Sequence, residues 1–370
     1  MALLEASSLD LPALFPGLSG RTFLNTATMG QLPATANQAL IGHLQHREQS
    51  AATDAPLWFD SLDRLRAKLA SLIHASPTDI AFIPSTAHGL AIPLHGLDWQ
   101  PGDEILTLDP EFPNNTYAPA QLARRGVVFR EVPLSSLPSS VSPRTRLIIV
   151  SALNYATGLR APLSLIRSLA PHAILYVDGT QGLGGIALDA PSLGIDILAV
   201  HGYKWLLSPT GAGFVYINEN TRHRIEPHIV GWRSHHAWRD WSNLHHGPPV
   251  FSSAAERYEG YFPAVPLYLA MEQSIDLFLQ LGPQAIEDHN LTLAAQLRSS
   301  LSSLGATVLH DNTPLLACRF PQHDSNHLAA QLNARHIVCS ARHSHLRLSL
   351  HLYNTPADIT TLAAALASLL

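Results

Sequence analysis

Short stretches dominated by apolar residues recur along the first part of the chain, at 80–83, 104–108, 147–151, 174–178 and 196–201. Each has the length and the Val, Ile and Leu content of a strand covered on both faces. Between most of them apolar residues return at three- and four-residue intervals, the spacing of a helix that buries one side. Helices are predicted over 34–49 and 57–73, and Thr22-Phe-Leu-Asn25-Thr26-Ala27 reads as a short strand entering a polar turn that Met29-Gly30 closes. Regular alternation of strand and helix predicts an α/β architecture, a mostly parallel sheet with helices on both faces. The stretch 211–217 adds one more strand, expected to run antiparallel.

The pattern then changes. Residues 231–250 carry no clean period and read as a long functional or interface loop. Pro266 opens a helix that Gly282-Pro283 closes, and the helix 284–304 shows the stripe Ile286, Leu293, Leu297, Leu301, Leu304. Strands follow at 307–310, 315–320, 337–340 and 346–351, with a helix at 327–334. A last helix has Thr355 as N-cap, Pro356 at its first position and Asp358 placed to bond back. This second pattern predicts a small α+β domain. The opening segment to Gly20 reads as a helix and a turn.

Composition narrows the function. A net charge of −5 over 370 residues gives no sign of nucleic-acid or membrane-surface binding. No uncharged apolar run reaches the roughly 18 residues of a membrane span, and the start of the chain lacks the basic region of a signal peptide. Cys318 and Cys339 are too few for a disulfide framework, which suits a reducing, cytoplasmic setting. With 21 histidines in the chain, a single one carries little weight. His235, His236, His245 and His246 lack the spacing of a zinc site and fit a lid or a dimer contact better.

Basic residues are almost all arginine; the two lysines are Lys68 and Lys204. Lys68 falls off the apolar stripe Leu62, Leu65, Leu69, Leu72 and reads as a solvated surface residue. Lys204 follows the apolar run 197–200 in His201-Gly-Tyr203-Lys204-Trp205, where surface charge is not expected. Arginine cannot release its proton, whereas a desolvated lysine can, and its amine then attacks carbonyls.

Four upstream features suit one cofactor. Asp178 ends a buried strand, where a carboxylate needs a cation, and a protonated pyridine nitrogen would serve. Ser85-Thr86-Ala87-His88-Gly89 starts a helix and offers hydroxyls and N–H groups to a phosphate. Glu111-Phe112-Pro113 places an aromatic ring to lie over a flat heterocycle, and Ser151-Ala-Leu-Asn154 offers an amide. All lie just past strand C-terminal ends, where open α/β sheets bind ligands. Taken singly, Ser85-Thr86 is more often an ordinary N-cap, while a core role for Phe112 and a salt bridge for Arg347 are the lesser alternatives to their functional readings. Gly182-Leu-Gly184-Gly185 is not followed by the capped helix and spaced acid of a dinucleotide loop.

In order, Asp178-Gly-Thr-Gln181, His201-Gly-Tyr203-Lys204-Trp205 and Pro209-Thr-Gly211-Ala-Gly213 resemble the class V aminotransferase family of pyridoxal-phosphate (PLP) enzymes. The resemblance runs from Phe23-Leu-Asn25-Thr26-Ala27 to Arg347 and Tyr353-Asn354-Thr355. It implies the PLP-dependent transferase fold type I: a large domain over 21–262 with a mostly parallel seven-stranded sheet, and a small domain from 1–20 and 263–370. The family includes cysteine desulfurases, isopenicillin-N-epimerase-like proteins, cysteine lyases and kynureninases. By resemblance Lys204 is the Schiff-base lysine and α-proton shuttle, and Asp178 pairs with the pyridine nitrogen. Gln181 and Asn154 bond the ring oxygen, and Phe112 stacks on the ring. Ser85, Thr86, Ala87, His201 and Tyr203 hold the phosphate. Asn25, Thr26 and Ala27 line the substrate pocket, and Arg347 grips the α-carboxylate. A homodimer with interfacial active sites is expected.

Departures from the pattern restrict the reaction. Desulfurases usually place histidine where Phe112 stands, and a nucleophilic cysteine where this chain has only Ala341-Arg342-His343-Ser344-His345. Cys339 lies on the preceding strand, as a structural thiol would. Arg257-Tyr-Glu259-Gly260-Tyr261-Phe262 keeps only part of the family's cross-subunit phosphate motif, with Tyr261 as the candidate replacement. Transamination of an amino acid is the first expectation. Elimination from cysteine-like substrates and epimerisation use the same residues. A non-catalytic PLP-binding module and a nicotinamide-dependent dehydrogenase are the rivals from other classes.

Overall fold

A computed structural model describes residues 3, 10–51, 53–245 and 247–370. Eight strands precede residue 300: β1 (Thr22–Phe23), β2 (Ile80–Ile83), β3 (Glu104–Leu108), β4 (Val128–Val132), β5 (Thr145–Ser151), β6 (Ile174–Asp178), β7 (Ile197–His201) and β8 (Gly213–Ile217). Seven of them form a sheet of order β2-β8-β7-β6-β5-β3-β4. β8 runs antiparallel to β2 and β7, and the other pairs are parallel. The apolar runs become strands because helices cover both sides: Leu198 and Val200 of β7 join one core, Ile197 and Ala199 the other. β4 was not anticipated. It is one edge of the sheet, and its mixed sequence leaves Val128 exposed.

Beyond residue 300, β9 (Thr307–Val308), β10 (Leu315–Arg319), β12 (Ser340–Arg342) and β13 (His345–Ser349) form an antiparallel sheet of order β12-β13-β10-β9. The strand expected over 337–340 is split. Its first half, β11 (Ile337–Val338), pairs in parallel with β1, and Cys339 sits buried at the break. Thr355 caps the final helix, with its N–H donating to Asp358 Oδ2 at 2.8 Å.

Residues on both sides of the expected boundary near 262 pack on the large sheet. Helix Val265–Leu281 lies against helices Ala34–Ser50 and Ala55–Leu72, and its Tyr268, Met271, Ile275 and Phe278 belong to the core of the large sheet. Phe15 joins that core too, whereas Leu24 packs with the C-terminal sheet. Of the opening segment, residues 1, 2 and 4–9 lie outside the described residues; Asp10 caps a short helix, Leu11–Leu14. Lys68 is not a free surface residue: its ammonium lies 2.8 Å from Glu272 and 2.7 Å from Asp276. In the stretch 231–250, Trp238 is buried with its ring centroid 4.9 Å from that of Phe59, and Trp241, Leu244 and Val250 are exposed. His246 lies outside the described residues.

Candidate active site

Sheet register brings the chemistry together. Ser151, Asp178 and Ala199 are neighbours across β5, β6 and β7, so three strand C-terminal ends meet at one level. A cavity of about 370 Å³, its open mouth included, lies there. Lys204 follows β7 in a tight turn. Gly30 makes the turn possible: a Cβ on it would stand 2.0 Å from the Lys204 carbonyl oxygen, and its N–H donates to Tyr203 O at 3.0 Å. The Lys204 side chain is 8% exposed and lines the cavity with Asp178.

Among the described residues no carboxylate stands within ion-pair distance of the Lys204 amine. The rings of Phe112 and Tyr203 flank it, with centroids at 5.6 and 5.4 Å. Burial brings its pKa down to about 8; Asp178 pulls it upward, and Arg347 and Arg342 push it further down. Asp178 is buried and its carboxyl is pushed up by desolvation, with Thr180 and the Lys204 amine opposing. The Thr180 N–H donates to Asp178 Oδ1 at 2.9 Å. Carboxylate and amine thus face one cavity without neutralising each other by contact.

Other predicted residues fall into three groups. Thr86, Phe112, Gln181, His201 and Tyr203 line the cavity. His201 Nε2 accepts from the Gly211 N–H at 2.9 Å, and burial brings the ring's pKa to about 4. The neutral ring therefore carries its proton on Nδ1 and is a donor there. Ser85 caps helix Thr86–Gly96, accepting from the His88 N–H at 3.3 Å, and the N–H groups of Thr86 and Ala87 have no intrahelical partner. Gln181 is held by Ala27 O at 2.9 Å and by the Trp205 indole N–H at 2.8 Å.

A second group stands at the domain seam. Arg347 is 2% exposed, and Ala27 bonds both ways, its N–H to Ser349 Oγ at 2.9 Å. Asn25 accepts from the Thr28 hydroxyl at 2.8 Å. Thr26 is fully buried with its hydroxyl 2.5 Å from that of Tyr353, so it braces the seam and does not line the cavity.

The third group lies elsewhere. Asn154 borders a neighbouring cavity; its amide donates to Pro110 O at 2.8 Å and its oxygen accepts from the Ala156 and Thr157 N–H groups. It shapes the turn that presents Tyr155. Tyr261 donates its hydroxyl proton to Phe82 O at 2.9 Å within its own subunit.

Several lining residues had no role assigned from sequence: Ser151, Tyr155 and Thr180. Thr180 was legible as the residue two past a buried aspartate, where an N–H closes on the carboxylate. Tyr155 stands edge-on to Phe112 at 5.2 Å and bonds His343 Nε2 through its hydroxyl at 2.7 Å. Glu111 lies behind the cavity, accepting from the Ser151 hydroxyl at 2.6 Å and the Ser151 N–H at 2.8 Å, and burial pushes its carboxyl up. Both thiols are buried, and desolvation pushes Cys318 and Cys339 up to about 12.

Comparison with known proteins adds independent findings. The family model for aminotransferase class-V matches residues 38–362. An isopenicillin N epimerase of Streptomyces clavuligerus is 29% identical over 389 residues, spanning 94% of this chain and 94% of that protein. An uncharacterized aminotransferase of Schizosaccharomyces pombe is 28% identical over 329 residues, 83% of this chain and 82% of that protein. Among solved structures, the cystine C–S lyase C-DES with its reaction product cysteine persulfide matches with a TM-score of 0.87 at 26% identity, over 95% of this chain and 99% of that one. A C-DES mutant with glycine covalently linked to its PLP cofactor matches with a TM-score of 0.88 at 26% identity, over 96% and 98%.

Proposed function

The chain belongs to the class V aminotransferase family, and we propose that it is a PLP-dependent aminotransferase in which Lys204 both anchors the cofactor and moves the proton at the α-carbon of an amino acid. The observation that carries this reading is the buried Lys204 amine, with no acid in contact among the described residues and a pKa brought to about 8. An amine so placed is partly neutral near physiological pH, which is what a nucleophile and a proton acceptor require.

The donor set fits the cofactor. Asp178 is a buried carboxylate facing the cavity with no cation in contact among the described residues, and a protonated ring nitrogen would be its partner. The capped start of helix Thr86–Gly96 and the His201 Nδ1–H suit a phosphate. Phe112 and Tyr203 offer aromatic faces. When bound, pyridoxal 5′-phosphate supplies an aldehyde that takes up amines and a ring that withdraws electrons from the α-carbon. The Lys204 amine would hold the cofactor and, when free, would accept the α-proton and return it to a new position. Asp178 keeps its partner nitrogen protonated. Arg347 orients the α-carboxylate, and Phe112 and Tyr155 shield the site from water at its rim.

A second reading, β-elimination, draws on the C-DES match over nearly the whole chain. Persulfide chemistry on the protein is disfavoured, because the turn between β12 and β13 has no cysteine and both thiols are buried. Incubating the holoenzyme with an amino-acid panel and resolving keto acid, ammonia, sulfide and inverted product tests these alternatives. Keto acid formation that depends on an added amino acceptor is expected; sulfide or ammonia as main product overturns transamination. We also propose a cytoplasmic homodimer. Exposed Val230, Trp241, Leu244, Val250 and Phe262 support the dimer and free thiols support the compartment. A fully active monomer in sedimentation would contradict the dimer.

A further inference from the structure

The hairpin of β12 and β13 sets Ser340 opposite Arg347 and Arg342 opposite His345. Directly opposed residues, and residues two apart on one strand, share a face. Arg342 and Arg347 therefore stand on the same side of the hairpin. The two-residue turn between the strands uses positive φ at both His343 (46°) and Ser344 (61°), the tight hairpin form. The Tyr155 hydroxyl bonds His343 at 2.7 Å, which pins the hairpin tip to the cavity rim.

The two guanidinium groups are held differently. Arg347 donates from Nε to Ser340 Oγ at 3.2 Å, from Nη1 to Tyr155 O at 2.8 Å and from Nη2 to Thr28 Oγ1 at 2.5 Å. Of its five N–H groups this leaves one on each terminal nitrogen, enough for one carboxylate in a fixed orientation. Arg342 is half-buried and donates once, from Nη1 to Ala341 O at 2.7 Å. Neither arginine has an acid within ion-pair distance among the described residues. Elsewhere in the chain the buried guanidinium groups of Arg66, Arg222 and Arg233 do have one. Both cations also press on Lys204, and Arg342 presses on Arg347. Asp178 is the acid that opposes them at the cavity wall. The bonds of Glu111 run to Ser151 and Phe112, and it forms no ion pair with either arginine among the described residues.

A monocarboxylate on Arg347 leaves Arg342, on the same face of the hairpin, unneutralised. We infer that the substrate carries a second acidic group beyond its α-carboxylate, and that Arg342 is the residue that selects for it. This rests on the reading of the site as one for amino acids and names the class: an amino acid with a short acidic side chain, carboxylate or sulfinate.

The test uses calorimetry on the purified protein supplied with pyridoxal phosphate, titrated with succinate and glutarate against butyrate. The dicarboxylates are expected to bind at least about tenfold tighter than butyrate. Arg342→Gln should shrink that gap to about twofold and leave butyrate affinity unchanged, Arg342→Lys should keep most of it, and Arg347→Gln should weaken all three ligands. Equal affinities in the unmodified protein, a gap that survives Arg342→Gln, or proportional weakening of all ligands by Arg342→Gln would each overturn the inference. Absorbance of the same samples reports the cofactor separately. A protein without cofactor absorbance refutes the cofactor reading, and the calorimetric gap still decides this one.

Discussion

Lys68 lies between helices Ala55–Leu72 and Val265–Leu281, with Glu272 and Asp276 both within 3 Å of its ammonium. Burial works against its charge, but the two acids outweigh that, and its pKa is raised. Lys204 is buried more deeply, meets aromatic rings instead of acids, and has its pKa brought to about 8. The side chain is the same, and what differs is whether a counter-charge comes within contact. A paired ammonium joins two helices and has no accessible lone pair. An unpaired, desolvated amine has one, and the fold leaves it beside a cavity. The protein's use of arginine at its other cationic positions makes this contrast readable, since an arginine at 204 would stay charged.

The sharpest way to break the contrast is Lys204→Ala. Turnover is expected to fall by at least about 10³-fold, and borohydride reduction followed by peptide mapping should find no cofactor-bearing peptide. Lys68→Ala should leave both readouts unchanged. If the Lys204→Ala protein retained turnover, Lys204 would be no more catalytic than Lys68. Next in size is Asp178→Asn, which removes the buried carboxylate and keeps its shape. A drop of roughly 10²-fold in kcat/KM is expected. Because Asp178 raises the Lys204 pKa, the amine of the cofactor-free variant should titrate below about 8. Amine-directed labelling across pH measures this, and a rise in the titration point would contradict the assigned polarity.

Much of this contrast was legible before any coordinates. Strands covered on both faces are dominated by apolar residues, so β2, β3, β6 and β7 stand out, as do the charges Asp178 and Lys204 at or just past the ends of β6 and β7. β4 escaped because an edge strand has one side free and mixes Arg130 and Glu131 among its apolar residues. Lys68 was misread for a long-range reason. Its own helix shows a clear stripe at Leu62, Leu65, Leu69 and Leu72 that excludes it, but a helix some 200 residues away brings Glu272 and Asp276 to that flank. Arg342 was hidden likewise: its place beside Arg347 follows from hairpin register, which sequence spacing does not reveal. Asn154 was assigned to the ring oxygen from its motif; in the fold its side-chain nitrogen donates to Pro110 O and its oxygen accepts from its own turn, contacts that sequence spacing does not reveal.

Stability should follow the same division with opposite signs. The folded-state pKa of Lys204 is depressed, so below about pH 8 the folded protein without cofactor bears a charged amine it would rather not hold. Between about 8 and the unfolded value of 10.5 the unfolded chain binds more protons, and stability rises with pH. Lys204→Met is therefore expected to stabilise the cofactor-free protein at neutral pH by on the order of 2 kcal/mol, with the gain shrinking above pH 8.

Lys68 runs the other way. Its raised pKa contributes stability that is fully present below the unfolded value of 10.5 and lost only as pH climbs through the folded one. Its ammonium is partly exposed, so solvent screens the pair, and Lys68→Met should cost only about 0.5–1 kcal/mol near pH 7. Urea denaturation of the two variants, measured at pH 7 and again at pH 9.5, puts both signs in one experiment. A loss at Lys68 with a gain at Lys204, the gain smaller at the higher pH, is the expected pattern. Destabilisation by Lys204→Met equal to that by Lys68→Met would mean that the buried amine has a stabilising partner after all, and the contrast between the two lysines would be gone.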